Sequence, residues 1–165
     1  NMLPPAAKTV ANYANSSLAK VEALRAGYDE AILLNTEGLV SECTGENLFV
    51  VRNGKVITPP LSAGALEGIT QNSVMTIARD LGYDVRVDNL ARSDLYIAEE
   101  IFVCGTAAEI TPIRSIDQLP VGLGVPGPVY KAISERFMGI VKGVLPDPYG
   151  WLTAVPLPPT AASSR

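Results

Sequence analysis

Apolar positions recur with two different periods along this chain. Between Asn12 and Ala26 they fall three apart, at Leu18, Val21 and Leu24, which is the spacing of one helical face. Gly27 follows where a helix ends on a residue of positive φ. Ala31-Ile32-Leu33-Leu34 then reads as a buried strand, Glu37-Gly38 turns it into Leu39-Val40, and Leu48 to Arg52 continues the sheet. Asn53-Gly54 predicts a two-residue hairpin into Lys55-Val56-Ile57-Thr58, and Pro59-Pro60 ends the pairing. Leu61 to Gly68 is a loop of small residues. Ile69 to Leu81 predicts a helix closed by Gly82, with Ile69, Val74, Ile77, Ala78 and Leu81 facing the sheet.

The second half repeats this mixture. Asp84-Val85-Arg86-Val87 is a strand with alternating faces, Arg92 to Ile97 a short helix, and Ile101-Phe102-Val103-Cys104 a buried strand. Gly105 to Ala108 is a turn, Ile110 to Ile116 continues as strand, and Asp117 to Pro120 turns again. Pro128 suits the first turn of a final helix reaching about Lys142. Residues 153–165, rich in Pro, Ser, Thr and Ala, are expected to form a disordered tail after a single domain, residues 1–152. Many short strands with three substantial helices in irregular order predict an α+β fold rather than a doubly wound sheet.

One stretch stands out from the pattern. Val40-Ser41-Glu42-Cys43-Thr44-Gly45-Glu46-Asn47-Leu48-Phe49-Val50 places acids, a glycine and an asparagine between two strand-like runs. By pattern alone this is a hairpin corner with solvated acids. Glu42, however, closely follows Leu39-Val40, and a carboxylate at the end of a buried strand needs a cation or hydrogen-bond donors.

Composition narrows the function classes. With 165 residues the chain buries one substantial core. A net charge of −4, with Lys and Arg scattered rather than striped, gives no nucleic-acid footprint. No apolar run is long enough to span a bilayer, and no signal peptide is visible. The two cysteines, Cys43 and Cys104, lack zinc or redox spacing and read as buried thiols in a reducing compartment, the cytoplasm. The absence of His excludes histidine triads and most zinc chemistry. The start, Asn1-Met2-Leu3, without a Met at position 1, reads as the middle of a longer protein.

Four separated motifs carry a resemblance. They are Ala7-Lys8-Thr9-Val10-Ala11-Asn12-Tyr13, the Glu42 stretch, Leu66-Glu67-Gly68-Ile69-Thr70, and Cys104-Gly105-Thr106-Ala107-Ala108-Glu109-Ile110-Thr111-Pro112. Each alone is unspecific. In this order, from Ala7 to Trp151, they resemble the larger, C-terminal domain of the branched-chain amino acid aminotransferases, fold-type IV enzymes that use pyridoxal phosphate. The resemblance implies a pseudo-barrel of mixed and antiparallel sheets flanked by helices. It also implies transamination between branched-chain L-amino acids (Leu, Ile, Val) and 2-oxoglutarate by a homo-oligomer with small-molecule partners only.

The resemblance assigns roles by residue. Lys8, which as residues alone would be an ordinary tail lysine, is implied as the Schiff-base lysine and carrier of the Cα proton. Tyr13, otherwise a core tyrosine near a helix start, would bond the cofactor's phenolic oxygen. Glu42 would face the pyridine nitrogen and keep it protonated. Leu66 would pack on the ring. Ile69 and Thr70 would bind phosphate at a helix N-terminus, where Thr70 could equally be a cap. Thr106 would bind phosphate and substrate, and Ala107 would offer its N–H to the substrate carboxylate. Lys20, Lys55, Lys131 and Lys142 read as solvated, Glu46 and Asn47 as turn-stabilising support, and Glu109 and Arg114 as structural or rim charges.

The family's smaller N-terminal domain, with its phosphate-binding arginine, is expected to be missing. Two other readings therefore stay open. One is another fold-type IV enzyme: a D-amino acid or (R)-amine transaminase, or an aminodeoxychorismate lyase. The other is a folded but non-catalytic domain.

Overall fold

The computed structural model describes Pro4 and residues 6–156; most of the expected tail lies outside the described residues. Two strands of mostly apolar residues sit at the centre. In β3 (Asn47–Arg52) and β6 (Glu100–Gly105), Leu48, Val50, Ile101 and Val103 point to one face and Phe49, Val51, Phe102 and Cys104 to the other. Both faces are covered, which is why these strands read as continuous apolar runs rather than alternating ones. They pair antiparallel with Phe49 opposite Phe102, and the two rings stack with centroids 5.2 Å apart.

The rest of the sheet grows outward as β5-β4-β3-β6-β7, using β4 (Lys55–Thr58), β5 (Asp84–Val87) and β7 (Glu109–Pro112). Within it, β4 and β5 run parallel and the other neighbours antiparallel. The β3–β4 hairpin turns on Asn53 and Gly54, both at positive φ (51° and 71°), as the Asn-Gly signal requires. On one face lie α2 (Ile69–Asp80) and α4 (Pro128–Val141), burying Val74, Ile77, Ala78, Ile133 and Ile140. Opposite lie α3 (Arg92–Tyr96) and the small sheet of β1 (Ile32–Leu34) and β2 (Val40–Cys43), packing Leu95, Val40 and Cys43 on the second core. A mixed sheet between helices on one side and a second sheet on the other is the expected α+β, barrel-like arrangement.

Four expectations are corrected. The helix at the start, α1 (Tyr13–Arg25), buries only Ala23, and its stripe Leu18, Val21 and Leu24 is 73%, 46% and 55% exposed. The pattern encodes a partner for that face which the described residues do not supply. Strand β1 is an edge of half-buried residues, not a buried strand. On α2, Ile69 and Leu81 leave the core, Ile69 being 84% exposed. Finally, Ile110 to Ile116 does not continue as one strand: β7 stops at Pro112, and Ser115–Ile116 (β8) pairs instead with Leu119–Pro120 (β9) across Asp117 and Gln118. Pro112 has no N–H with which to extend a ladder.

Candidate active site

Lys8, Tyr13, Glu42 and Leu66 meet at one end of the sheet, where they line a cleft of about 30 Å³ with Ala7, Asn12 and Ser16. Three segments far apart in sequence supply them. Lys8 lies in the segment before the short 3₁₀ turn (Val10–Asn12) that leads into α1, and Tyr13 opens that helix. The Lys8 ammonium sits 5.9 Å from the Tyr13 ring centroid. Asn12 ties the lysine segment to the helix, its Nδ2 donating to the Ala7 carbonyl (2.7 Å) and the Pro4 carbonyl (3.0 Å).

Glu42 projects from β2, whose Val40, Ser41 and Cys43 are buried. The carboxylate is half-buried, and its Oε2 accepts the Leu66 N–H (3.0 Å) and a longer contact from Asn47 Nδ2 (3.4 Å). Burial raises its pKa above the usual glutamate value; the Leu66 N–H and the Lys8 charge counter this only in part, and Glu46 adds to the rise. A carboxyl so placed needs a cationic partner to stay charged.

Leu66 leads to Gly68, the N-cap of α2, which has no side chain to cap that helix, and no other side chain among the described residues is bonded to its first N–H groups. Thr70 is the second helical residue and half-buried, so the capping alternative falls away. The first N–H groups of α2 thus have no capping side chain, as an anion-binding helix start requires. Thr106 and Ala107 stand exposed in the β6–β7 turn. The β3–β6 register, Asn47 opposite Cys104, brings that turn beside Gly45 and Glu46. Ile69, Thr70, Thr106 and Ala107 therefore ring the same end of the sheet without lining the Lys8 cleft.

Lys20 is partly exposed, as its sequence context suggests, but it is also paired. Its Nζ donates to Glu30 Oε2 (2.5 Å) and to the Asp29 carbonyl (2.7 Å), and Thr44 Oγ1 donates to Glu30 Oε1 (2.5 Å). Burial pushes the Glu30 carboxyl up, but the donors Lys20, Thr44 and the Ala31 N–H outweigh it and hold the group below its usual range. Burial and the Glu30 charge push Glu46 up. This cluster borders a wider cleft of about 320 Å³ on the other side of Tyr13. Asn12 and Ser16 escape sequence reasoning, although Ser16 carries a signal, standing close to one helical turn after Tyr13. Cys43 and Cys104 are free and buried, with burial raising both, Cys104 to about 12. Among the described residues no cluster could hold a metal ion, and no helix is long and apolar enough to cross a membrane.

Comparison with known proteins adds the family. The family described as amino-transferase class IV matches residues 1–116. The branched-chain-amino-acid aminotransferase of Salmonella typhimurium is 48% identical over 155 residues, covering 94% of this chain and 50% of that protein. Among solved structures, the Escherichia coli branched-chain amino acid aminotransferase superposes with a TM-score of 0.90 at 48% identity, over 93% of this chain and 52% of that one. The branched-chain amino acid aminotransferase of T.th. does so with a TM-score of 0.89 at 50% identity, over 93% of this chain and 52% of that one, in a complex with N-(5'-phosphopyridoxyl)-L-glutamate. It has also been solved with 4-methylvaleric acid. The chain spans about half the length of the relatives it matches. A family match over most of the chain and near-half identity to several relatives place it in the class IV amino-transferase family.

Proposed function

We propose that residues 1–152 form the cofactor-binding larger domain of a branched-chain amino acid aminotransferase, exchanging the amino group between Leu, Ile or Val and 2-oxoglutarate. The observation that carries this is the meeting of Lys8, Tyr13, Glu42 and Leu66 in one cleft, beside a helix start free of any capping side chain. These residues suit pyridoxal phosphate: an amine for its aldehyde, a hydroxyl for its phenolic oxygen, an acid for its ring nitrogen and N–H donors for its phosphate. When bound, the cofactor supplies an electron-accepting ring that stabilises negative charge at the amino acid's Cα.

The chain's own residues do the rest. Lys8 would hold the cofactor's aldehyde carbon, and its free amine would move the Cα proton. Its exposure suits that exchange. Glu42, with its raised pKa, is matched to sharing a proton with a ring nitrogen, and the ion pair formed there restores the charge that burial disfavours. Tyr13 orients the ring from α1, and Leu66 covers one face. Ile69, Thr70 and Thr106 would hold the phosphate, and the Ala107 N–H would receive the substrate carboxylate. The cleft between Lys8 and Glu42 is far smaller than a cofactor, so Lys8, Tyr13, Glu42 and Leu66 would hold only part of it.

The ligands of the T.th. relative, a glutamate adduct and a branched carboxylic acid, support this substrate pair over D-amino acids, (R)-amines or aminodeoxychorismate. Buried free thiols support a cytoplasmic setting. One observation favours the non-catalytic reading for the 165-residue chain by itself: the exposed apolar stripe of α1 beside the site. Labelling tests the cofactor site, and turnover tests catalysis. The chain is mixed with pyridoxal phosphate, reduced with borohydride and mapped by peptide mass. A pyridoxyl group confined to Lys8 is expected; label spread over Lys20, Lys55, Lys131 and Lys142 would overturn the site. Turnover of D-alanine but not L-leucine, with the family's smaller domain supplied, would overturn the substrate assignment.

A further inference from the structure

Asn47 takes part in no step above, yet it is among the few buried polar side chains, 6% exposed at the head of β3. Its Nδ2 donates to the Leu66 carbonyl (2.8 Å) and, more weakly, to Glu42 Oε2 (3.4 Å). The Leu66 N–H donates to that same Glu42 oxygen (3.0 Å). Three contacts thus close a ring through Glu42, Leu66 and Asn47. On its other side the amide presses on the start of α2: a Cβ added at Gly68 would overlap Asn47 Oδ1. Gly68 has φ −83° and ψ 135°, ordinary extended backbone for any residue. The Asn47 amide, rather than the backbone, is what requires glycine there.

We propose that Asn47 is a positioning residue that locks the Glu42 carboxylate and the N-terminus of α2 into one fixed geometry. The proposal rests on the cofactor reading above and deepens it. Glu42 serves the ring nitrogen and α2 the phosphate, two points held at a fixed separation within one rigid ligand. Slack between their protein partners would cost affinity directly, because the ligand cannot stretch to follow. A buried amide that bonds one partner and packs against the other removes that slack. Gln71 holds the same turn from below, donating to Thr58 Oγ1 (2.9 Å), which itself donates to the Leu48 carbonyl (2.8 Å).

The test compares Asn47→Ala, Gly68→Ala and the double variant in the full chain. Two quantities are read: the midpoint of the Glu42 carboxyl titration by ¹³C NMR without cofactor, and the dissociation constant of pyridoxal phosphate by absorbance. Asn47→Ala is expected to raise the Glu42 midpoint, since a donor to the charged form is lost, and to weaken the cofactor about tenfold. Gly68→Ala is expected to do the same by displacing the amide, but to add less than about twofold once Asn47 is already alanine, because its space is then vacant. A merely structural asparagine would lower the melting temperature and leave the Glu42 midpoint where it is. An unchanged midpoint in Asn47→Ala, or effects of the two substitutions that multiply independently, would overturn the proposal. Should Asn47→Ala fail to fold, the midpoint in Gly68→Ala decides. Should the unmutated chain form no adduct at Lys8 even with the family's smaller domain added in trans, the cofactor reading fails, and the cofactor-free Glu42 midpoint alone still supports or overturns the positioning role.

Discussion

Glu42 is a single residue that bears both on stability and on the proposed function. Its carboxyl is raised by burial, so folding favours the protonated form. The sign follows: the Glu42 contribution is fully favourable below the unfolded glutamate pKa and is lost as pH rises through the folded value. Glu42→Gln is therefore expected to raise the melting temperature of the cofactor-free chain at neutral pH, with the gain vanishing at acid pH. A gain that persists at pH values of about 3, below the usual glutamate range, would point to packing rather than charge. The same substitution is expected to weaken pyridoxal phosphate binding, since the ring nitrogen loses its anionic partner. Lys8→Ala is expected to leave stability within about 0.5 kcal/mol, because Lys8 is exposed and forms no salt bridge among the described residues. Under the proposed function, with the family's smaller domain supplied, it should cut turnover by about 10²-fold or more, read in a leucine–oxoglutarate assay. Lys8 was legible only through its motif; its neighbours Ala7 and Thr9 give no physical reason to single it out. Glu42 was half-legible, because an acid that closely follows Leu39-Val40 is already under desolvation stress. The roles of Asn12 and Lys20 were not legible, since the carbonyls and carboxylate they bond lie on other segments.

At the level of elements, glycines mark where one element presses on another. Gly127 caps α4 at φ −81°, a conformation open to any residue, yet an added Cβ would overlap the Glu100 carboxylate. The reason is that Glu100, buried on β6, reaches across to accept the Val129 and Tyr130 N–H groups (3.0 and 2.8 Å). A carboxylate on the central strand thus serves as the missing cap of the last helix. Glu100→Ala is expected to destabilise by about 2–3 kcal/mol in urea unfolding, because two donors lose a charged acceptor and the strand-to-helix tie is broken. A change under about 0.5 kcal/mol would show that water replaces the carboxylate without cost. Helix α2 was legible from Val74, Ile77 and Ala78, whose period survives burial. The exposure of its first residue, Ile69, was not, because helical period places Ile69 on the apolar face without showing that the first turn stands clear of the core.

For the whole molecule, the unpartnered stripe of α1 matters most. Leu18, Val21 and Leu24, with Val10 at 91% exposure nearby, leave an apolar face in water beside the site. The 165-residue chain alone is expected to self-associate through it, and Leu18→Lys with Leu24→Glu should lower the weight-average mass in sedimentation. A monodisperse monomer before substitution would sink that expectation. By itself the sequence determined the order and type of the main elements, the Asn53-Gly54 hairpin, the buried central strands and the family. Those follow from period, turn chemistry and motif, which are local properties of the chain. Only the tertiary structure decided that Lys8, Tyr13, Glu42 and Leu66 share one cleft, that Asn47 sits between the acid and α2, and that Glu100 caps α4. Each of those depends on groups from separate elements being folded against one another, and sequence spacing carries no information about the direction in which a side chain closes such a distance.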